Sequence, residues 1–295
     1  MTAPRKCEVC GSTRSEPVYQ VEGFSIVRCS QCRLVYVLNP PAPDATGDLY
    51  DDAYWEGTDV PGYGGYEARE ASKRLHARSL LALVETHAPR VGRLLEVGCA
   101  YGYFLDEARR LGWEVQGLEP SPPAARFARD RMGLPVTEER LEDFARGWGD
   151  DPAGKPSVGY DAVVLWDVIE HLPEPRTTLQ AARELLRPGG ILALSTGDVD
   201  SFASRIHGKD WSLITPPWHL FYFSRRTLST LLEGVGFQVE WVGGDGVVAA
   251  DPSAKRRHLP PFVERLLLSR AVVAGMRKLG AGQICFMVAR RPELE

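Results

Sequence analysis

From residue 93 onward, short apolar runs alternate with stretches whose apolar residues recur every three or four positions, which predicts strands and helices in turn. "RLLEVGCA" reads as an apolar strand ending in a glycine turn, "YFLDEARRLG" as a helix closed by Gly112, and "WEVQGLEP" as a second strand. "SPPAARFARDRMG" continues as a helix, "LPVTE" as a short strand, "YDAVVLWDV" as a fourth strand, and "EPRTTLQAARELLRPGG" as a helix stopped by Pro188. "ILALSTGD" is a fifth strand, "SRRTLSTLLEGVG" a helix capped by Ser224, and "FQVEWVGG" and "QICFMVARR" complete the set. Such alternation predicts an α/β fold with a doubly wound, mostly parallel sheet covered on both faces. Upstream, a helix from Tyr66 to about His87 sets Leu75, Leu80, Leu83 and Val84 on its apolar side.

The N-terminal region has a different pattern. Cys7, Cys10, Cys29 and Cys32 form two C-x2-C pairs, the spacing of a zinc ribbon in which four thiolates close a tetrahedral shell. A closed shell leaves no site for water, so the expected Zn2+ is structural. Between the pairs, "PVYQVEGFSIVRC" reads as two short strands turning at Glu22 and Gly23, too small a hairpin to stand without the metal. Cys99 and Cys285 read as packing residues. The chain divides into a ribbon and linker (1–45), a helical segment (46–92), a core (93–250), a basic amphipathic insert (251–280) and a last strand with its tail (281–295).

Composition narrows the partners. The 295 residues carry a net charge of −4, so no global positive field draws a phosphate backbone, and nucleic acid is not the expected partner. The chain shows no apolar leader and no apolar run of about 18 residues, and cysteines spaced for metal suit a reducing compartment, so a cytoplasmic protein is expected. The insert carries Lys255, Arg256, Arg257, Arg265, Arg270, Arg277 and Lys278, and its stretch 255–279 reads as a lid, a dimer surface or a peripheral contact with an anionic membrane.

In a doubly wound sheet, ligands bind where the strand order reverses, beside the turn after the first strand. That turn reads "EVGCAYGYF", with Glu96, Gly98, Ala100 and Gly102. It lacks the G-x-G-x-x-G spacing of a dinucleotide site, and Glu96 would repel a phosphate but suit a cation. The stretch resembles the first motif of the class I S-adenosylmethionine-dependent methyltransferases, E/D-x-G-x-G-x-G, with Ala100 in place of the middle glycine. The resemblance continues in order through about residues 93–245. It implies that Glu119 of "LEP" accepts both ribose hydroxyls, that Leu141 with Glu142 or Asp143 brackets adenine, and that Trp166 and Asp167 line the methionine end. It also implies a Rossmann-like, seven-stranded methyltransferase sheet and S-adenosylmethionine as cofactor.

Methyl transfer from a sulfonium requires alignment of the acceptor and removal of its proton. Three histidines lie near the ends of the fourth and fifth strands. His171 opens a helix in "DVIEHL" and reads as cofactor wall or base, and His207 reads as solvated. His219, in "TPPWHLFYFS", is flanked by Trp218, Phe221, Tyr222 and Phe223 and reads either as a base in a substrate pocket or as the filling of a packed corner. "WHLFYFS" resembles the "E-H-x-x-Y-F/Y-S" stretch of sugar C-methyltransferases, which also begin with a zinc-binding cysteine module; the resemblance implies His219 as base, with Tyr222 beside it. The expected acceptor is an oxygen or carbon of a small polar metabolite, a sugar or a natural-product intermediate. An RNA or protein methyltransferase that uses the ribbon for target recognition is the other reading.

Overall fold

The structure is a computed structural model that describes residues 5–42, 69–147, 159–244 and 282–293. The basic insert lies outside the described residues, as do the segment 43–68 and most of the loop 147–159.

Among the described residues, seven strands build the main sheet. In chain order they are β4 (Arg93–Val97), β5 (Glu114–Leu118), β6 (Val136–Thr137), β7 (Tyr160–Trp166), β8 (Leu186–Gly197), β10 (Gln238–Gly244) and β11 (Ile284–Arg290), arranged β10-β11-β8-β7-β4-β5-β6. Strands β4 to β8 pair in parallel, whereas β11 runs antiparallel to both β8 and β10. The chain moves outward from β4 to β6 and then returns to lay β7 against the other side of β4, so the order reverses between those two strands. Leu94, Leu95, Ala162, Val163, Val164 and Leu165 are fully buried, as central strands covered on both faces must be.

The helices are α1 (Glu70–His87), α2 (Tyr103–Arg110), α3 (Pro122–Arg126), α4 (Leu141–Arg146), α5 (Pro175–Leu185), α6 (Phe202–His207) and α7 (Arg225–Val235). Helix α1 buries Ala77, Leu80, Leu81 and Val84, while Leu75, expected on the same face, is 66% exposed. The true apolar stripe runs 77, 80, 81 and 84, and Leu75 falls outside it. Arg74 joins α1 to α2 through the buried carboxylates of Asp106 (2.7 Å) and Glu107 (3.0 Å). The stretch after Ser121 is a single α-turn followed by a π-helical turn over Phe127–Arg131, so "SPPAARFARDRMG" is not one regular helix. Helix α5 ends at Leu185, earlier than Pro188 suggested, because Leu186 is already extended and begins β8.

The hairpin of the N-terminal module forms as expected, β1 (Ser15–Val21) against β2 (Phe24–Cys29). A third strand, β3 (Val35–Val37), was not apparent in the sequence. It pairs antiparallel with β2 on one side and with β9 (Phe221–Tyr222) on the other. The second sheet therefore has the order β1-β2-β3-β9, and its last strand belongs to the segment that carries His219. Cys7, Val27, Cys29, Leu34 and Tyr36 share one buried cluster with Leu165, Leu179, Phe221 and Leu231, so the module packs into the core of the α/β domain.

Candidate functional site

At the carboxyl ends of β4 and β7, where the strand order reverses, lies a cavity of about 630 Å³. It is lined by Glu96, Gly98, Ala100, Glu119, Leu141, Glu142, Asp143, Trp166, Asp167 and His171. Gly102 stands just outside the lining, at the N-terminus of α2. The backbone explains the small residues. Gly98 has φ +69°, and a Cβ there would stand 2.7 Å from Val168 Cγ2; Gly102 has φ +78°, and its Cβ would meet Leu134 Cδ1 at 2.4 Å. Ala100 is also left-handed, with φ +49°, so the methyl it carries in place of a glycine is not conformationally free.

Two buried carboxylates face this turn. Glu119 accepts hydrogen bonds from Ala100 N (2.8 Å) and Ser121 N (2.9 Å), which fix its orientation at the end of β5. Burial holds its carboxyl up at about 7. Burial, and then the neighbouring Glu119, hold Glu96 well above the usual carboxylate range, and Glu96 Oε2 is buried with no hydrogen-bond partner. An unsatisfied buried carboxylate oxygen beside a glycine cradle is the donor-hungry arrangement that a ligand bearing a cationic or hydroxyl group relieves. Leu141 is buried at the start of α4, Glu142 accepts from Thr178 Oγ1 on α5, and Asp143 is exposed and paired with Arg146 at 2.8 Å.

The other end of the cavity is formed by the residues after β7. Asp167, with φ +53°, is pinned by Ser195: its N donates to Ser195 Oγ (3.0 Å), and Ser195 Oγ donates to Asp167 Oδ1 (2.7 Å). His171 donates Nδ1–H to Trp218 O at 2.9 Å, a contact that favours the Nδ1–H tautomer of the neutral ring. Burial lowers its pKa from the ordinary imidazole value, which favours the neutral ring. Lys73 and His76 of α1 complete this wall and were missed from sequence. Their signal was their spacing from Ala77 and Leu80, on the same side of the helix.

His219 does not line the cavity; it sits behind His171, ring centroids 4.7 Å apart in an edge-to-face contact, with Nδ1–H donated to Leu213 O at 2.8 Å. Enclosure, and then the neighbouring His171, bring its pKa down to about 3. A nitrogen of each histidine and an oxygen of Glu170 lie within 4.8 Å of one another, and burial pushes the Glu170 carboxyl up to about 8. Tyr222 also lies away from the cavity. It is 3% exposed among Ile26, Val35 and Trp211, and its hydroxyl donates to His219 O at 3.1 Å. Side chains alternate across a strand, so pairing with β3 turns Tyr222 into the module's core and away from the cavity.

In the N-terminal module, Cys7 Sγ lies 3.4 Å from Cys32 Sγ, and Cys10 Sγ lies 3.5 Å from Cys29 Sγ. All four thiol sulfurs fall within 4.8 Å of one another. Four thiolates bound tetrahedrally at about 2.3 Å stand about 3.8 Å apart, so this set fits such an ion. Burial raises the Cys7 thiol and brings Cys32 to about 11. At Cys29 burial is outweighed by backbone donors from Cys32 and Gln31, which bring it to about 7.

Comparison with known proteins shows the family to which this fold belongs. The chain belongs to a methyltransferase-domain family, whose model matches residues 66–242. It is 32% identical over 217 residues to a ubiquinone biosynthesis O-methyltransferase of Xanthomonas oryzae pv. oryzae, covering 70% of this chain and 88% of that protein. It is 35% identical over 124 residues to the protein of the same name from Cereibacter sphaeroides, covering 40% of this chain and 47% of that one, so the match spans less than half of that relative. A SAM-dependent methyltransferase from Archaeoglobus fulgidus superposes with a TM-score of 0.53 at 18% identity, over 76% of this chain and 98% of that one. The chain is an S-adenosylmethionine-dependent methyltransferase.

Proposed function

We propose that this enzyme methylates a hydroxyl oxygen of a small metabolite, with His171 as the general base and His219 as the residue that backs it. The observation that carries this reading is the favoured Nδ1–H tautomer of His171 at the cavity wall, beside Asp167. S-adenosylmethionine supplies an activated methyl group on a sulfonium. Glu119 would hold its ribose hydroxyls, the turn from Gly98 to Gly102 would admit its backbone closely, Leu141 with Glu142 or Asp143 would bracket its adenine, and Glu96, Trp166 and Asp167 would face its methionine end. The neutral Nε2 of His171 takes the acceptor's proton as the hydroxyl oxygen becomes nucleophilic. The names of the relatives favour oxygen over the carbon that the sugar C-methyltransferase resemblance implies. The four cysteines would hold a structural Zn2+, a role their closed shell supports.

The test is incubation with methyl-labelled donor and three acceptor pools: simple phenols, sugars, and bulk RNA. Label in a phenol or sugar hydroxyl is expected, and label in RNA alone would overturn the small-molecule reading. His171→Ala is expected to cost about 10²-fold or more in kcat, the usual size of a lost general base, while S-adenosylhomocysteine affinity holds. Retained turnover would exclude His171 as the base.

A further inference from the structure

We infer that the cysteine module sets the position of the acceptor-side wall of the cavity, and that Arg5 is a positioning residue in this link. The inference rests on the proposed metal occupancy and on the proposed role of His171. Two separate routes join the module to that wall.

The first route runs through the backbone. In the second cysteine knuckle Cys29 N donates to Leu34 O (2.8 Å), and the chain passes directly into β3. Val37 N, at the end of β3, donates to Leu220 O (2.9 Å). Leu220 N and Phe221 N both donate to Glu170 O, at 2.8 and 3.2 Å. The next residue is His171, whose Nδ1–H tautomer is favoured by the carbonyl of Trp218 in the same segment. A strand of three residues holds its place only by what it pairs with, so β3 depends on the knuckle before it and β9 depends on β3.

The second route runs through side chains. The Arg5 guanidinium lies 4.8 Å from the Phe221 ring centroid and 5.7 Å from that of Tyr36. It donates to Val37 O and to Pro173 O (3.4 Å), bridging β3 to the loop that carries His171. Arg176, near the start of α5, donates to Glu8 O and Val9 O, both at 2.8 Å, between the ligands of the first knuckle. The wall from His171 to Glu174 is thus held from the module side at both ends. The cofactor-side groups are held by the parallel sheet instead: Gly98 N donates to Leu118 O (2.7 Å) and Ala100 N to Glu119.

The link predicts that losing the metal loosens one half of the cavity and spares the other. The test is hydrogen exchange on the full chain before and after chelation, with metal content followed by elemental analysis and S-adenosylhomocysteine affinity by calorimetry. Chelation should speed exchange of the Leu220, Phe221, His171, Leu172 and Glu174 amides more than about tenfold and change the affinity less than about twofold. Unchanged protection with the metal gone would overturn the inference, and so would loss of protection across β4, β5 and β7 together with the affinity. Arg5→Gln provides an arm that does not depend on metal. It should keep the metal and the affinity, yet speed exchange at His171, Leu172 and Glu174 and shift the ¹⁵N resonances of His171 away from its Nδ1–H tautomer. Unaltered His171 resonances would overturn the role of Arg5. A protein purified without metal would overturn the metal reading alone, and the Arg5 arm would then decide the positioning role by itself.

Discussion

Ala100 holds φ +49° at the middle-glycine position of the E/D-x-G-x-G-x-G motif that the turn resembles, and it lines the cavity. The left-handed region costs an L-residue about 1 kcal/mol, so Ala100→Gly is expected to raise stability by up to that amount, less the entropy glycine loses on folding. Chemical denaturation reads it, and a destabilised variant would mean the methyl makes compensating contacts. Glu119 yields a pH prediction. Its carboxyl is raised from 4.5 to about 7 in the folded protein, so the folded state holds this proton more tightly than the unfolded chain. That contribution to stability is complete below about 4.5 and is lost as pH rises through about 7. A ligand whose hydroxyls donate to the ionised carboxylate responds in the opposite sense. S-adenosylhomocysteine affinity should therefore weaken by up to about tenfold per pH unit below 7 and level off above it; a flat profile from pH 5 to 8 would contradict this. Glu96 was singled out by the turn after β4 and Glu119 by the family resemblance of "LEP" at the end of β5, and both line the cavity. The order of His171 and His219 was not legible in the sequence, because which ring reaches the cavity depends on two loops from distant parts of the chain.

At the scale of elements, α7 shows how far local signals reach. Ser224 Oγ accepts from Thr227 N, and Thr227 Oγ1 accepts from Ser224 N, a reciprocal cap whose first half was visible in the sequence. Ser224→Ala should cost about 1 kcal/mol, read as a lower midpoint in urea with unchanged slope; no change would mean that water replaces the cap. Strand β3 shows where local signals end. "VYV" is too short to declare itself by alternation, and its partner β9 lies in another part of the chain. Helix α5 marks a similar boundary, because Leu186 turned extended to join the sheet before Pro188 could stop the helix.

At the scale of the molecule, the cysteine module and the α/β domain share one core. Phe221 is 1% exposed, lies 6.4 Å from the Tyr36 ring and 5.8 Å from Phe223, and belongs to the same cluster as Cys7 and Cys29. Truncating such an aromatic costs about 3–5 kcal/mol. Phe221→Ala should lower the urea midpoint of the metal-loaded protein while metal release and tryptophan fluorescence still change together. Two separate transitions would instead mark the module as an independent unit.

By itself the sequence determined the features that depend on close neighbours along the chain. The alternation of strands and helices pointed to a doubly wound sheet, the glycine turn after β4 to a cavity at the strand ends, and the paired cysteines to a cluster of four thiols, because each depends on spacings of a few residues. Only the tertiary structure decided how these parts meet. It brought β9 against β3, set His171 at the cavity wall with His219 behind it, and turned Tyr222 into the module's core. Those outcomes depend on backbone hydrogen bonds and packing between segments far apart in the chain, which no local pattern encodes.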